Sequence, residues 1–123
     1  MSLTINRRAA LSLAIGAAAT ISLSAAESET GTAVYYSDYF QGRPVANGEI
    51  YDKDKLTAAH NGLPYGTKVR VTNLANDKSV ILKVNDRMRS RSKVLIDVSR
   101  KAAEELGFLT EGRAQVRVEV VQQ

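Results

Sequence analysis

The stretch Lys68–Asp86, KVRVTNLANDKSVILKVND, decides how this chain folds. Val69 and Val71 alternate with Lys68 and Arg70, the period-two pattern of a strand with one wet face. Asn76-Asp77-Lys78 then interrupts the pattern with residues that tolerate left-handed backbone angles and so turn the chain. Ser79–Asp86 resumes it as a return strand. Val80, Leu82, Val84 and Asp86 fall on one face, and Ile81, Lys83, Asn85 and Arg87 on the other. The pattern predicts a β-hairpin. It also sets one carboxylate, Asp86, at the end of an apolar row, where a core meets a surface or a cleft.

Working outward, VNDRMRSRSK follows, with Arg87, Arg89, Arg91 and Lys93 at alternate positions. In extended conformation they form one cationic stripe, suited to an anionic polymer or a carboxylate-bearing glycan. A solvated basic loop accounts for them equally well. Val94 to Val98 is a further short apolar run, and Ala114 to Val120 alternates with Val116, Val118 and Val120 on one face. Between these two, Ser99 can cap a helix whose apolar side is Ala102, Ala103 and Leu106 and which Gly107 ends. Upstream, Thr32–Ser37 is β-prone. Residues 38–66 hold both prolines and glycines at 42, 48, 62 and 66, which predicts a long irregular connection of the kind that usually carries function. Six of the seven aromatics, Tyr35, Tyr36, Tyr39, Phe40, Tyr51 and Tyr65, crowd between positions 35 and 65, as a small core or as flat faces for sugars. The elements add up to a small, mainly β, barrel-like domain with one or two short α-helices.

The chain has 123 residues, enough for one domain. Its first 26 are expected to be a secretory leader: Arg7 and Arg8 start it, a weakly apolar run extends to Leu23, and Ser24-Ala25-Ala26 supplies small residues before a cut at Glu27. The run falls short of the ~20 residues a membrane span needs. The paired arginines fit either a general secretory or a twin-arginine signal, and the expected location is therefore exported, periplasmic or extracellular. Removing the leader lowers the net charge from +4 to +2, since only Arg7 and Arg8 are lost. A charge of +2 gives no reason to expect nucleic acid as a partner. With no cysteine, the chain has no disulfide, no thiol nucleophile, no zinc-thiolate site and no lipidated N-terminal cysteine to anchor it to a membrane. Residues 27–123 must be held by packing alone, with about two thirds of the unfolded surface buried.

Three side chains are candidates for chemistry. Asp86 could be a proton donor if partial desolvation outweighs the cations beside it, or an ordinary turn carboxylate. His60, the single histidine, lies in LTAAHNGLPYGT; without a second His or any Cys, a metal site is not expected. Glu49 lies beside Gly48 in ANGEIYD and could equally be a surface acid. The residue pattern alone leaves these alternatives open.

Their combination is more specific. GRPVANGEIYD, LTAAH, LPYGTKVRVTN, VNDR and IDVS occur in this order, and with GRAQVRVEVV they make residues 31–120 closely resemble the rare lipoprotein A family. That resemblance implies a six-stranded double-psi β-barrel, similar to expansins and some endoglucanases. It further implies a lytic transglycosylase that cuts the β-1,4 bond between N-acetylmuramic acid and N-acetylglucosamine in peptidoglycan glycan strands, leaving a 1,6-anhydro end. The family's active-site Glu, His and Asp fall on Glu49, His60 and Asp86. Asp86 is then expected to protonate the leaving oxygen and take the proton of the substrate's own C6 hydroxyl, with Glu49 and His60 holding the sugars and tuning it. Asn85, Arg87, Tyr36, Arg43 and Arg89 are expected to bind substrate. No cofactor or metal is implied, and the expected state is a monomer. The family's usual Gly-Pro after VNDR is replaced here by Met88-Arg89, which makes the loop beside Asp86 more cationic and suggests a less pinned backbone. Arginines reaching Asp86 would weaken it as a donor. The competing readings are a non-catalytic, expansin-like protein that binds cell-wall glycan, and a hydrolase using Glu49 and Asp86 as its carboxylate pair.

Overall fold

The computed structural model describes residues 28–122; the expected leader lies outside the described residues. Six strands form one closed barrel: β1 (Ser28–Tyr35), β2 (Thr57–Ala59), β3 (Lys68–Asn73), β4 (Ser79–Asp86), β5 (Ile96–Val98) and β6 (Arg113–Val120). Around the barrel they run β1-β5-β2-β4-β3-β6 and back to β1. The β1–β5 and β2–β4 pairs are parallel and the other four antiparallel, so two parallel crossovers interlock in the expected double-psi β-barrel. The single α-helix among the described residues, α1 (Arg100–Leu106), packs against β1 and β4.

The hairpin forms as the alternation predicts. Val69 pairs with Leu82 and Val71 with Val80, all on the core face, and Asp77 takes the left-handed angle at the turn with φ of 65°. The core joins these residues to Ala33, Val84, Ile96, Val98, Val116 and Val118. The helix also behaves as read. Ser99 Oγ accepts from the Ala102 N–H at 3.3 Å. At the other end Gly107, with φ of 79°, lets its own N–H reach Glu104 O and that of Phe108 reach Ala103 O. This Schellman closure satisfies carbonyls the helix would otherwise leave bare.

Two differences from the sequence reading concern the connections. Strand β1 begins at Ser28 rather than Thr32, because β6 pairs with it from Glu119 back to Arg113. A side chain at Gly31 would lie 2.9 Å from Leu95 Cβ, so glycine is what allows the β5 approach to pass over β1. Residues 38–66 are largely irregular, as read, but not throughout. They contain a 3-10 turn (Asp38–Phe40), a small hairpin bridged at Pro44 and Ile50, and the barrel strand β2. Three residues, Thr-Ala-Ala, are too few to show a period.

Candidate active site

The site lies where four strands meet in register. Val34 of β1 faces Asp97 of β5, Asp97 faces Ala59 of β2, and Ala59 faces Asp86 of β4. Residues opposed across a ladder project to the same side, and all four line one cleft of about 850 Å³. A bulge delivers Asp86 to this row. The β2–β4 register skips from Ala58↔Val84 to Ala59↔Asp86, leaving Asn85 without a partner on β2. Simple alternation continues Val80, Leu82 and Val84 into Asp86. The bulge instead keeps Val84 in the core and re-aims Asp86 into the cleft, a common use of bulges beside active sites.

Three donors hold the Asp86 carboxylate. The hydroxyl of Tyr36, just past β1, donates to Oδ2 at 2.5 Å. The N–H groups of Ala46 and Arg87 both donate to Oδ1, at 2.9 and 2.8 Å. Ala46 is offered by the small hairpin, whose frame is set by Val45 N–H to Glu49 O (2.7 Å), Tyr51 N–H to Arg43 O (2.8 Å) and a left-handed Gly48. The motif GRPVANGEIYD is therefore a clamp over the end of β4.

Glu49 lies on the far side of that clamp. Its Oε2 accepts from Lys83 Nζ at 2.8 Å and its Oε1 from Asn85 Nδ2 at 2.9 Å. These bonds pull its carboxyl down to about 2, with Lys83 the larger cause. The hairpin buries Asn85 and leaves its Oδ1 without a hydrogen-bond partner among the described residues. His60 is buried too. Its Nδ1 accepts from the Gly62 N–H at 2.9 Å, so Nε2 carries the proton and donates to Glu29 Oε1 at 3.1 Å. Through its backbone His60 does touch the site: its N–H donates to Asp86 O, and its carbonyl accepts from Arg87 Nη1 at 2.7 Å.

The expected residues thus divide. Asp86, Arg87, Tyr36, Arg43 and Arg89 line the cleft together. The side chains of Glu49, His60 and Asn85 bond elsewhere, beneath or beside its wall. The Met88-Arg89 loop is pinned after all: Asn61 Oδ1 accepts from the Met88 N–H at 2.7 Å, Asn61 Nδ2 donates to Arg89 O at 3.3 Å, and Met88 packs on the Tyr36–Tyr51–Ala59 cluster. No cation is ion-paired with Asp86 among the described residues; Arg89 and Arg91 are exposed at the cleft's rim. Arg43 and Arg87 stack on the rings of Tyr39 and Tyr65, centred 4.0 and 4.1 Å away. The aromatics also divide. Tyr36 and Tyr51 are buried and stacked 4.4 Å apart, whereas Tyr39, Phe40 and Tyr65 are exposed, Phe40 in the cleft.

The sequence reading gives no role to Asp97. Burial, and secondarily the charge of Asp86, push its carboxyl up to about 7, and its Oδ1 is sealed without a hydrogen-bond partner among the described residues. Burial also raises the hydroxyls of Tyr36 and Tyr51, Tyr36 further through its bond to Asp86. The signal for Asp97 was present: a carboxylate between Ile96 and Val98, two residues of a short apolar strand, is an anomaly in a buried pattern. Among the described residues no cluster of His, Asp or Glu is arranged to hold a metal ion.

This barrel and cleft can be set beside known proteins. A family model described as lytic transglycolase matches residues 28–118. A Neisseria meningitidis serogroup A protein named endolytic peptidoglycan transglycosylase RlpA is 47% identical over 93 residues, 76% of this chain and 39% of the relative. A Pseudomonas aeruginosa protein of the same name is 52% identical over 89 residues, 72% of this chain and 26% of the relative. The chain thus spans well under half the length of these relatives. Among solved structures, the Streptomyces papain inhibitor superposes with a TM-score of 0.63 at 23% identity, covering 77% of this chain and 94% of that one. The Clavibacter michiganensis expansin does so with 0.63 at 22%, covering 78% and 51%. At that identity the structural likeness establishes the shared barrel alone, whereas the family model covers most of the sequence: the chain belongs to the lytic transglycolase family.

Proposed function

We propose that this protein is a peptidoglycan lytic transglycosylase. It would cut the β-1,4 bond between N-acetylmuramic acid and N-acetylglucosamine and leave 1,6-anhydromuramic ends. The observation that carries the reading is the cleft floor, where Asp86 is fixed by Tyr36 Oη and two backbone N–H groups beneath an 850 Å³ opening. The names of the relatives, at about half identity across this barrel, point to the same chemistry.

Cleavage without water needs a carboxyl group that protonates the departing glycosidic oxygen and a carboxylate that takes the proton of the C6 hydroxyl as it closes on C1. Asp86 is the expected group at the reacting bond. Phe40 offers an exposed ring to a sugar face, and Arg43, Arg89 and Arg91 offer guanidinium groups to the muramic carboxylate. Glu49 and His60 act through the backbone they hold: Glu49 locks the clamp that presents Ala46, and His60 anchors Arg87 beside Asp86. A hydrolase based on Glu49 and Asp86 has less support, because Glu49 lies outside the cleft and is bonded to Lys83 and Asn85. Acting on wall glycan requires export, which a leader over residues 1–26 would provide.

Digestion of purified wall glycan followed by mass spectrometry tests the reading. Anhydro-muramic ends are expected from the unaltered protein and none from Asp86→Asn. Reducing ends would identify a hydrolase. Co-sedimentation with intact glycan and no new ends would favour a binding protein; a related expansin has been solved in complex with cellohexaose.

A further inference from the structure

We infer that Asp97 is the proton donor of the cleft, and that Asp86 is the fixed anion that faces it across Ala59. The inference rests on the transglycosylase reading and names the acid within it. Asp86 and Asp97 are both register partners of Ala59, from opposite sides of β2. They stand two ladder steps apart, roughly 10 Å between backbones, and project into one cleft. Ala59, with its single methyl group, leaves the space between them open.

The two carboxyl groups have opposite surroundings. Asp86 Oδ1 is bonded by two N–H groups, which can only donate, so no proton resides on that oxygen. Asp97 Oδ1 is sealed from solvent and receives no donor among the described residues. An ionised carboxylate left bare in this way is costly, whereas the neutral acid is tolerated. The groups facing Asp97 reinforce the difference: Asp86 from β4 carries negative charge, while Tyr36 and Tyr51 are neutral phenols stacked beside the row. The guanidinium groups of Arg89 and Arg91 are at the exposed rim, and neither is ion-paired with Asp97. A carboxyl group with a bare, sealed oxygen and a carboxylate that accepts three donors divide the acid and the anion between them.

In the reaction, the Asp97 carboxyl gives its proton to the glycosidic oxygen as the C1–O bond breaks. The positive charge that develops at C1 is met by the anionic Asp86. The substrate's C6 hydroxyl oxygen then bonds to C1 and its proton returns to the Asp97 carboxylate. One bond to C1 is broken and one formed, the proton is restored, and no water or co-reactant is consumed.

Carboxyl-labelled aspartate in the full chain, followed by carbon NMR against pH, reads the donor directly. Asp97 is expected to titrate near 7 in the unaltered protein, and at lower pH in Asp86→Asn, where the neighbouring charge is gone. In parallel, anhydro-end formation should decline above that midpoint in the unaltered protein. It should fall roughly 10²–10⁴-fold in Asp97→Asn, the usual worth of a general acid, and return in part in Asp97→Glu. Titration of Asp97 in the ordinary carboxylate range, or undiminished product from Asp97→Asn, would overturn the assignment while leaving the transglycosylase standing. No anhydro product from the unaltered protein at any pH would overturn the transglycosylase reading, and the donor with it.

Discussion

The hydroxyl of Tyr36 reaches across fifty residues of sequence to donate a 2.5 Å hydrogen bond to Oδ2 of Asp86. It is the only side-chain donor among the three that hold this carboxylate. The ring itself is immobilised by stacking on Tyr51, whose own hydroxyl accepts from the Arg100 N–H at the start of α1. Tyr36→Phe keeps the stack and removes the bond. A hydrogen bond to a charged group contributes about 1.5–3 kcal/mol to the folded state, so the unfolding temperature should fall by several degrees or more. Turnover should drop by roughly tenfold to a hundredfold if the same bond is kept in the transition state. Anhydro-end formation measured beside thermal unfolding checks this. Full activity in the phenylalanine variant would show that the backbone donors suffice.

Glu49 supports the clamp rather than the reacting bond. Its carboxyl, ordinarily near 4.5, is held at about 2 by Lys83 and Asn85. A group whose value is lowered on folding stabilises the fold fully above its unfolded value, and that stability is lost as pH falls through the folded one. Glu49→Gln should therefore lower the unfolding temperature by a constant amount above about pH 5. The difference should shrink below that and vanish near pH 2. Thermal scans of both proteins between pH 2 and 7 measure it, and a pH-independent difference would contradict the ion pair.

How far the sequence discloses this molecule can be judged from single residues. The hairpin, the Ser99 cap and the Gly107 stop were legible because each depends on neighbours in the chain: alternation, a short polar side chain, a left-handed angle. Strand β2 was not, since three small residues become a strand only through β4 and β5 on either side. Asp86 was found by an alternation argument that the bulge at Asn85 defeats: the residue is in the cleft, but by a different route. Asp97 escaped notice because its surroundings come from strands distant in the chain, and desolvation has no local sequence signature. His60 and Glu49 were visible as motif residues, yet the bonds of their side chains, to Glu29 and to Lys83 and Asn85, are tertiary.

The cations beside Asp86 permit a direct comparison of two roles. Arg89 and Arg91 are exposed at the rim and make no ion pair with Asp86 among the described residues. Replacing both by Ala should leave kcat close to that of the unaltered protein and raise KM between about twofold and thirtyfold, taking about 0.2–1 kcal/mol for each exposed contact. The effect should fade as salt is raised, since exposed charges are screened. Steady-state kinetics on soluble glycan at two ionic strengths measures both quantities. A rise in kcat would instead show that the arginines restrain the site.

A buried acid kept for chemistry should weaken the fold that holds it, and Asp97 allows that cost to be measured. Folding raises its carboxyl from 3.8 to about 7. Below pH 3.8 the group is protonated in both states and contributes no penalty. Between 3.8 and 7 the unfolded chain ionises first, so stability declines as pH rises; above 7 the full penalty remains. Three pH units correspond to on the order of 4 kcal/mol, an upper figure for a side chain that is partly open to the cleft. Asp97→Asn removes the titration while keeping the shape. The variant should unfold at a higher temperature than the unaltered protein at pH 8, lose most of that advantage by pH 4, and form anhydro ends far more slowly than the unaltered protein at pH 4. Equal unfolding temperatures at pH 8 would mean that Asp97 ionises inside the folded barrel without penalty, which the bare, sealed Oδ1 does not allow.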